Sequence, residues 1–170
     1  KPPLYIWMVG AISALFGPQQ LVFRVAFSVL NALIPLVMIS IGGIIGSSTP
    51  NVRIGKGLNL PGVGFTAGAL IYALCPIPIL EAGLAGHFDP AVVLVTLLSF
   101  RALLKGNPLL SGILLGAGMS LKIYPLFLAP IFILSIKEWA GRGRFLLGAS
   151  IVPILSSLPI LIVDPGAILR

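Results

Sequence analysis

From Leu21 to Gly46 the chain runs for 26 residues with one charged side chain, Arg24. A run that long has apolar groups on every face of any helix it forms, and an α-helix of about 20 such residues spans the ~30 Å hydrocarbon core of a bilayer. Apolar runs return at 61–80, 90–104, 109–124, 125–136 and 145–163, separated by short polar turns except where Pro125 divides the fourth of them from the third. Only 9% of the residues are charged and the mean hydropathy is +1.12, whereas an average soluble domain carries roughly 25% charge. These values argue against a soluble globular fold. They predict an all-α, polytopic transmembrane helical bundle of about five full or partial spans.

Residues 4–16 are apolar but too few to cross a bilayer comfortably, and Gly17-Pro18-Gln19-Gln20 ends them. They read as a short, re-entrant or surface-lying N-terminal helix. Pro35 interrupts the first full span, and Pro125 and Pro130 predict a break or kink between the fourth and fifth. The loops alternate in charge. Arg53 and Lys56, then Arg101 and Lys105, then Lys137, Arg142 and Arg144 fall on one side, which the positive-inside rule makes cytoplasmic. Glu81, His87, Asp89 and Asp164 fall on the other.

The formal charge of +7 raises nucleic acid as a partner, yet the cations lie scattered between apolar runs instead of along one stripe, so no nucleic acid is expected. Cys75 and His87 are each the sole residue of their type, which removes disulfide frameworks and zinc sites built from Cys and His clusters. No metal and no cofactor is expected. Residues 1–170 read as one transmembrane domain. The start at Lys1 and the apolar stretch running up to Arg170 read as a piece of a longer chain, one lacking a first span and a first outer loop.

The unusual polar residues gather at the outer face. Arg24 lies about one turn inside its span. Lys122 follows Leu109 by thirteen residues, about 20 Å at 1.5 Å per residue, which puts it in the outer third beside Glu81, His87 and Asp89. An ion within a span costs ~2.5–3.5 kcal/mol unless it is paired or functional. Cations and acids at one membrane face would suit a phosphate-bearing lipid substrate. Plain readings compete: Asp89-Pro90 and Asp164-Pro165 look like helix starts capped by a carboxylate, and Lys122 and Arg24 can snorkel to headgroups. His87 can be an ordinary loop residue. Gly112, Gly116 and Ser120 recur every four residues, a stripe for close helix packing. No phosphate-binding loop, dinucleotide fingerprint or nucleophile with a spaced base occurs.

Two strings carry a resemblance: Gly86-His87-Phe88-Asp89, and Leu121-Lys122-Ile123-Tyr124-Pro125 some thirty residues later. With Pro2-Pro3-Leu4 and the proline-containing span end from Pro76, they resemble the GT-C superfamily of membrane glycosyltransferases. Within it the likeness is to the polyprenyl-phosphate-mannose-dependent enzymes, including the mannosyltransferase that adds the first mannose of GPI anchors and its bacterial and archaeal relatives. The resemblance implies a GT-C-like fold and an integral, multi-pass membrane protein. It implies transfer of a hexose, mannose by this likeness, from a polyprenyl-phosphate sugar to a lipid-linked or glycan acceptor at the outer face. Lys122 and Tyr124, assisted by Arg24, would bind the donor phosphate; His87 and Asp89 would line the sugar or acceptor pocket. The catalytic base would be an acid in the first outer loop, upstream of this chain, so no base is assigned here.

Two other classes stand against this enzyme. A multi-span transporter or channel also uses intramembrane ions and proline-broken helices, but it predicts an internal repeat, and the sequence shows none. A non-catalytic subunit of a lipid-modifying complex would tolerate neutral residues at Lys122 and Asp89.

Overall fold

The computed structural model describes residues 3–48, 53–54 and 58–163. The expected cap at Asp164 and the loop cation Lys56 lie outside the described residues. Helix α1 (Pro3–Phe16) ends at Gly17, whose φ of 83° turns the chain into the 29-residue α2 (Gln20–Ser48). A minimal antiparallel ribbon pairs β1 (Arg53–Ile54) with β2 (Leu58–Asn59). Helix α3 (Leu60–Leu74) stops at Cys75, which is extended because the following proline disfavours helical geometry there, and α4 (Pro76–Leu80) continues at an angle of 49°. A π-helical turn (Glu81–Ala85) follows, then α5 (Asp89–Leu104) and α6 (Pro108–Leu121). A 3-10 segment (Tyr124–Leu128) leads into α7 (Ala129–Ser135) and the 25-residue α8 (Trp139–Val163).

Side-chain contacts give the helix directions. Helix α3 runs antiparallel to α2: Tyr72 Oη donates to Asn31 Oδ1 at 2.7 Å, while Gly68 lies against Met38 lower down. Helix α5 runs in the same sense as α2, since Gly86 just ahead of it touches Arg24 and Arg101 Nε near its end donates to Ser40 Oγ at 2.8 Å. Helix α6 returns beside α5, joined by the buried Ser99 hydroxyl donating to the Ser111 carbonyl at 2.7 Å. Helices α6 and α8 run parallel at very close approach. A Cβ on Gly112 would fall 2.1 Å from the Phe145 carbonyl oxygen, and one on Gly116 2.5 Å from that of Ala149. The small-residue stripe is therefore a packing seam, as its spacing predicts.

Two apolar clusters hold the bundle. Leu115, Phe132 and Phe145 join α6, α7 and α8. Ala91, Val92 and Leu121 join α5 to α6, and Leu4, Met8, Leu30 and Phe88 close over them. Helix α1 is thus seated on the bundle, with Tyr5 stacked 4.5 Å from the Phe88 ring and Trp7 Nε1 donating to the Ser156 carbonyl.

The surface is far more apolar than that of a water-soluble protein. Leu21, Val25, Val29, Leu33 and Leu36 form an exposed stripe along α2, whereas Asn31, Ser99, Ser111, Ser120 and Ser156 are buried. Large contiguous apolar surface of this kind needs a cover that is not water.

Helix lengths by themselves bear out fewer spans than the five expected. By length and composition, α2 is the one described helix able to cross a membrane alone, and the bent α3–α4 pair adds a second if taken as one broken span. Helices α5 and α6 have 16 and 14 residues, about 24 and 21 Å long, short of the ~30 Å core. Helix α5 follows the run read at 90–104, whereas the break at Lys122 ends α6 three residues before the end of the run read at 109–124. The basic loop expected at 137–144 is also shorter. The chain is helical from Trp139, and Arg142 lies over the Trp139 ring with its Nε donating to the Ile136 carbonyl.

Candidate functional site

The site is built around the connection between α4 and α5. The π-turn inserts an extra residue per turn, and Gly86, at φ 64°, reverses the chain after it. The His87 amide donates to the Glu81 carbonyl at 3.1 Å, which folds the two ends of the loop onto each other. As a result, side-chain ligand atoms of Glu81, His87 and Asp89 all lie within 4.8 Å of one another, with Glu81 and His87 exposed and Asp89 half-buried. Single π-turns recur at functional sites because they re-aim side chains that a regular helix would spread around its surface.

Asp89 opens α5 without capping it. The residue in the cap position is Phe88, with no side-chain cap bond, and the Asp89 carboxylate turns instead to Lys122 Nζ at 2.5 Å. This replaces the capping reading of Asp89-Pro90. By contrast α6 is capped as expected of an Asn-Pro start, Asn107 Oδ1 accepting from the Leu110 amide.

Lys122 reaches Asp89 because α6 ends there. Leu121 is its last residue, and Lys122 is extended at φ −154° and ψ 144°, two residues ahead of the Tyr124-Pro125 3-10 segment. The ammonium lies 5.5 Å from the Phe88 ring centroid and 5.9 Å from that of Tyr124. Aromatic faces attract a cation and shield it from solvent on one side. Lys122 therefore does not simply snorkel: one carboxylate and two rings fix its position, while 43% of its side chain remains accessible to an anion.

Arg24 packs on the other side of the same loop. A Cβ on Gly86 would be 3.5 Å from Arg24 Cγ, so the guanidinium stem runs under the residue preceding His87. Arg24 Nε is the one buried side-chain nitrogen or oxygen without a hydrogen-bond partner among the described residues. An unsatisfied buried donor on a cation costs ~1–3 kcal/mol or more until an acceptor arrives.

All five residues expected from the sequence thus meet at one end of the bundle: Arg24 and His87 around the loop, Asp89, Lys122 and Tyr124 across the α5–α6 junction. The sequence reading put Glu81 at the level of the site without giving it a role, and left Phe88 out. The signal for Glu81 was its place six residues ahead of His87 with Gly83 and Gly86 between them, a spacing no regular helix would bring together. Glu81, His87 and Asp89 bring two carboxylates and an imidazole within the spacing that a divalent cation would need. The opposite end of the bundle gathers Lys137 and Glu138 with the turn at Gly106-Asn107-Pro108 and carries the basic residues Arg101 and Lys105.

This arrangement offers fixed cations, an exposed imidazole and an exposed carboxylate beside apolar surface, which suits binding an anionic leaving group and a polyhydroxylated partner together. No curated protein and no solved structure matches the chain. The family model for glycosyltransferase family 87 matches residues 2–168, almost the full length. The chain belongs to glycosyltransferase family 87.

Proposed function

We propose that this glycosyltransferase is a multi-pass membrane enzyme of GT-C type that moves a hexose from a polyprenyl-phosphate sugar to a lipid-linked or glycan acceptor at the outer membrane face. The observation that carries this reading is Lys122, held by Asp89 and two aromatic rings at the end of the bundle opposite the basic turns. The exposed apolar stripes support a bilayer as the solvent, and the up-and-down course of α2, α3, α5, α6 and α8 agrees with the charge alternation of the loops.

In the proposed reaction the acceptor hydroxyl oxygen attacks the anomeric carbon, and the bond from that carbon to the phosphate oxygen breaks. The phosphate leaves with the bonding electron pair and gains one negative charge. Lys122 and Arg24 stabilise that charge, which is larger in the transition state than in the bound donor, so they accelerate the step and do more than bind. Tyr124 orients Lys122 through its ring. His87 and Asp89, with Glu81, line the sugar and acceptor side. The hydroxyl proton passes to a carboxylate base, to which no residue is assigned here. Mannose is the proposed hexose on the same resemblance.

The test is Lys122→Ala in the full-length enzyme, assayed with polyprenyl-phosphate mannose in nanodiscs. Loss of one electrostatic donor of this kind lowers kcat by about 10²–10³, with Lys122→Arg retaining part of the rate. Wild-type transfer by Lys122→Ala would remove the phosphate assignment.

A further inference from the structure

Helix α1 has no buried residue, yet it closes over the end of the bundle that carries Lys122. Leu4 and Met8, one turn apart on the same face, pack against Ala91, Val92 and Leu121, the cluster whose last member precedes Lys122 in the chain. Tyr5 sets its ring 4.5 Å from that of Phe88, tilted by 47°. Two residues on, Trp7 Nε1 donates to the Ser156 carbonyl at 3.2 Å and ties the helix to α8.

Phe88 connects this helix to the ammonium. Its ring packs on the same cluster and lies 5.5 Å from Lys122 Nζ. Lys122 stands just past the end of α6 with an extended backbone, so its side chain is located by what it touches. The bond to Asp89 engages one of three ammonium protons and leaves the group able to swing about that oxygen. Tyr124 lies two residues farther along the same segment and moves with it. The Phe88 ring is the aromatic restraint from outside that segment. A ring attracts a cation only while it presents its face, and tilted stacking on a second ring holds such an orientation. For Phe88 that second ring is Tyr5.

We infer that Tyr5 is a positioning residue: through the Phe88 ring it holds the Lys122 ammonium where the leaving phosphate gains its charge. The inference rests on the phosphate role proposed for Lys122 and adds that α1 sets how well that role is performed. Without the Tyr5 ring, Phe88 turns its face from the ammonium part of the time, and the ammonium spreads around Asp89. Misplacement of this kind acts mainly on the step in which charge develops, so it lowers kcat more than it raises KM.

The experiment uses the full-length enzyme in nanodiscs with two readouts: transfer from polyprenyl-phosphate mannose, and labelling of Lys122 by an amine-reactive reagent, read by mass spectrometry. Tyr5→Leu keeps apolar bulk on α1 and removes the ring, while Leu4, Met8 and Trp7 continue to seat the helix. Its kcat should fall about two- to tenfold, the worth of one aromatic pair, with KM little changed. Tyr5→Phe keeps the ring and should retain most of the rate. Phe88→Leu should reproduce the loss, and Tyr5→Leu should cost nothing further in combination with Phe88→Leu or with Lys122→Ala. Lys122 labelling should rise at least about twofold in Tyr5→Leu and in Phe88→Leu, but not in Tyr5→Phe. Unchanged labelling, losses that add fully in the double variant, or a wild-type kcat in Tyr5→Leu where Lys122→Ala is impaired would each overturn the positioning. Raised labelling in Tyr5→Leu, together with wild-type transfer by Lys122→Ala, would uphold it and remove the phosphate role.

Discussion

The seam between α6 and α8 makes a sharp prediction, because one chemical change has opposite signs at two glycines. A Cβ on Gly112 would sit 2.1 Å from the Phe145 carbonyl oxygen and 2.9 Å from the Ala149 nitrogen, both backbone atoms that no rotamer can move. Carbon–oxygen contacts settle at about 3.3 Å or more, so Gly112→Ala forces the helices apart by roughly 1.2 Å. A gap of ~1 Å forfeits about half of each dispersion contact across the seam, and the fully buried Leu115 and Phe145 lie directly on it. The expected loss is about 3 kcal/mol, at the upper end of ordinary overpacking. Gly143→Ala, in α8 with nothing within 4 Å of its Cβ, should instead gain ~0.5–1 kcal/mol from reduced backbone entropy of the unfolded chain. Unfolding by SDS titration in mixed micelles, followed by circular dichroism, measures both. Lys122 directly follows the end of the helix that carries Gly112, and a 1 Å displacement of a catalytic group can cost ~10²-fold in rate, so transfer should fall with stability in Gly112→Ala alone. Equal midpoints for the two variants would refute the close approach of α6 and α8.

Other outcomes follow from single contacts. Tyr72→Phe leaves the buried Asn31 side chain without its donor and should destabilise the protein by about 1–3 kcal/mol in the same micelle assay, with Asn31→Leu in the Tyr72→Phe background recovering much of it. Asp89→Asn frees Lys122 from its carboxylate. The pair is partly exposed, so its coupling to stability in a double-mutant cycle with Lys122→Gln should stay below about 1 kcal/mol. Transfer rate should fall far more than that coupling implies, because a mispositioned ammonium no longer meets the leaving phosphate; a rate loss no larger than the stability coupling would make Asp89 a structural residue only.

Much of this architecture was legible without coordinates, for reasons of solvent and covalent geometry. Long apolar runs can satisfy their backbone amides in a bilayer only as helices. Accordingly α2 matches the run read at 21–46 to within two residues, and Cys75-Pro76 breaks the second run where proline geometry demands it. The gathering of Arg24, His87, Asp89, Lys122 and Tyr124 at one end was also readable, since alternating helices return every second turn to the same face. Length was misjudged at the end of the fourth run, where the extended Lys122 stops α6 at Leu121, three residues short of the 124 read, while α5 keeps the bounds read for the third.

The pairings themselves were decided only in three dimensions. Asp89-Pro90 has the local chemistry of a helix cap, and nothing within four residues reveals that its carboxylate turns to an ammonium 33 positions away. The π-turn that draws Glu81 to His87 depends on Ala82 being packed into the bundle and Gly83 fitting beside Ser28. Periodicity in the sequence determines which residues share a level and a face, because that follows from the rise and pitch of a helix. Which of those residues touch, and which is left like Arg24 Nε without a partner, depends on how the helices rotate against one another, and that is a property of packing.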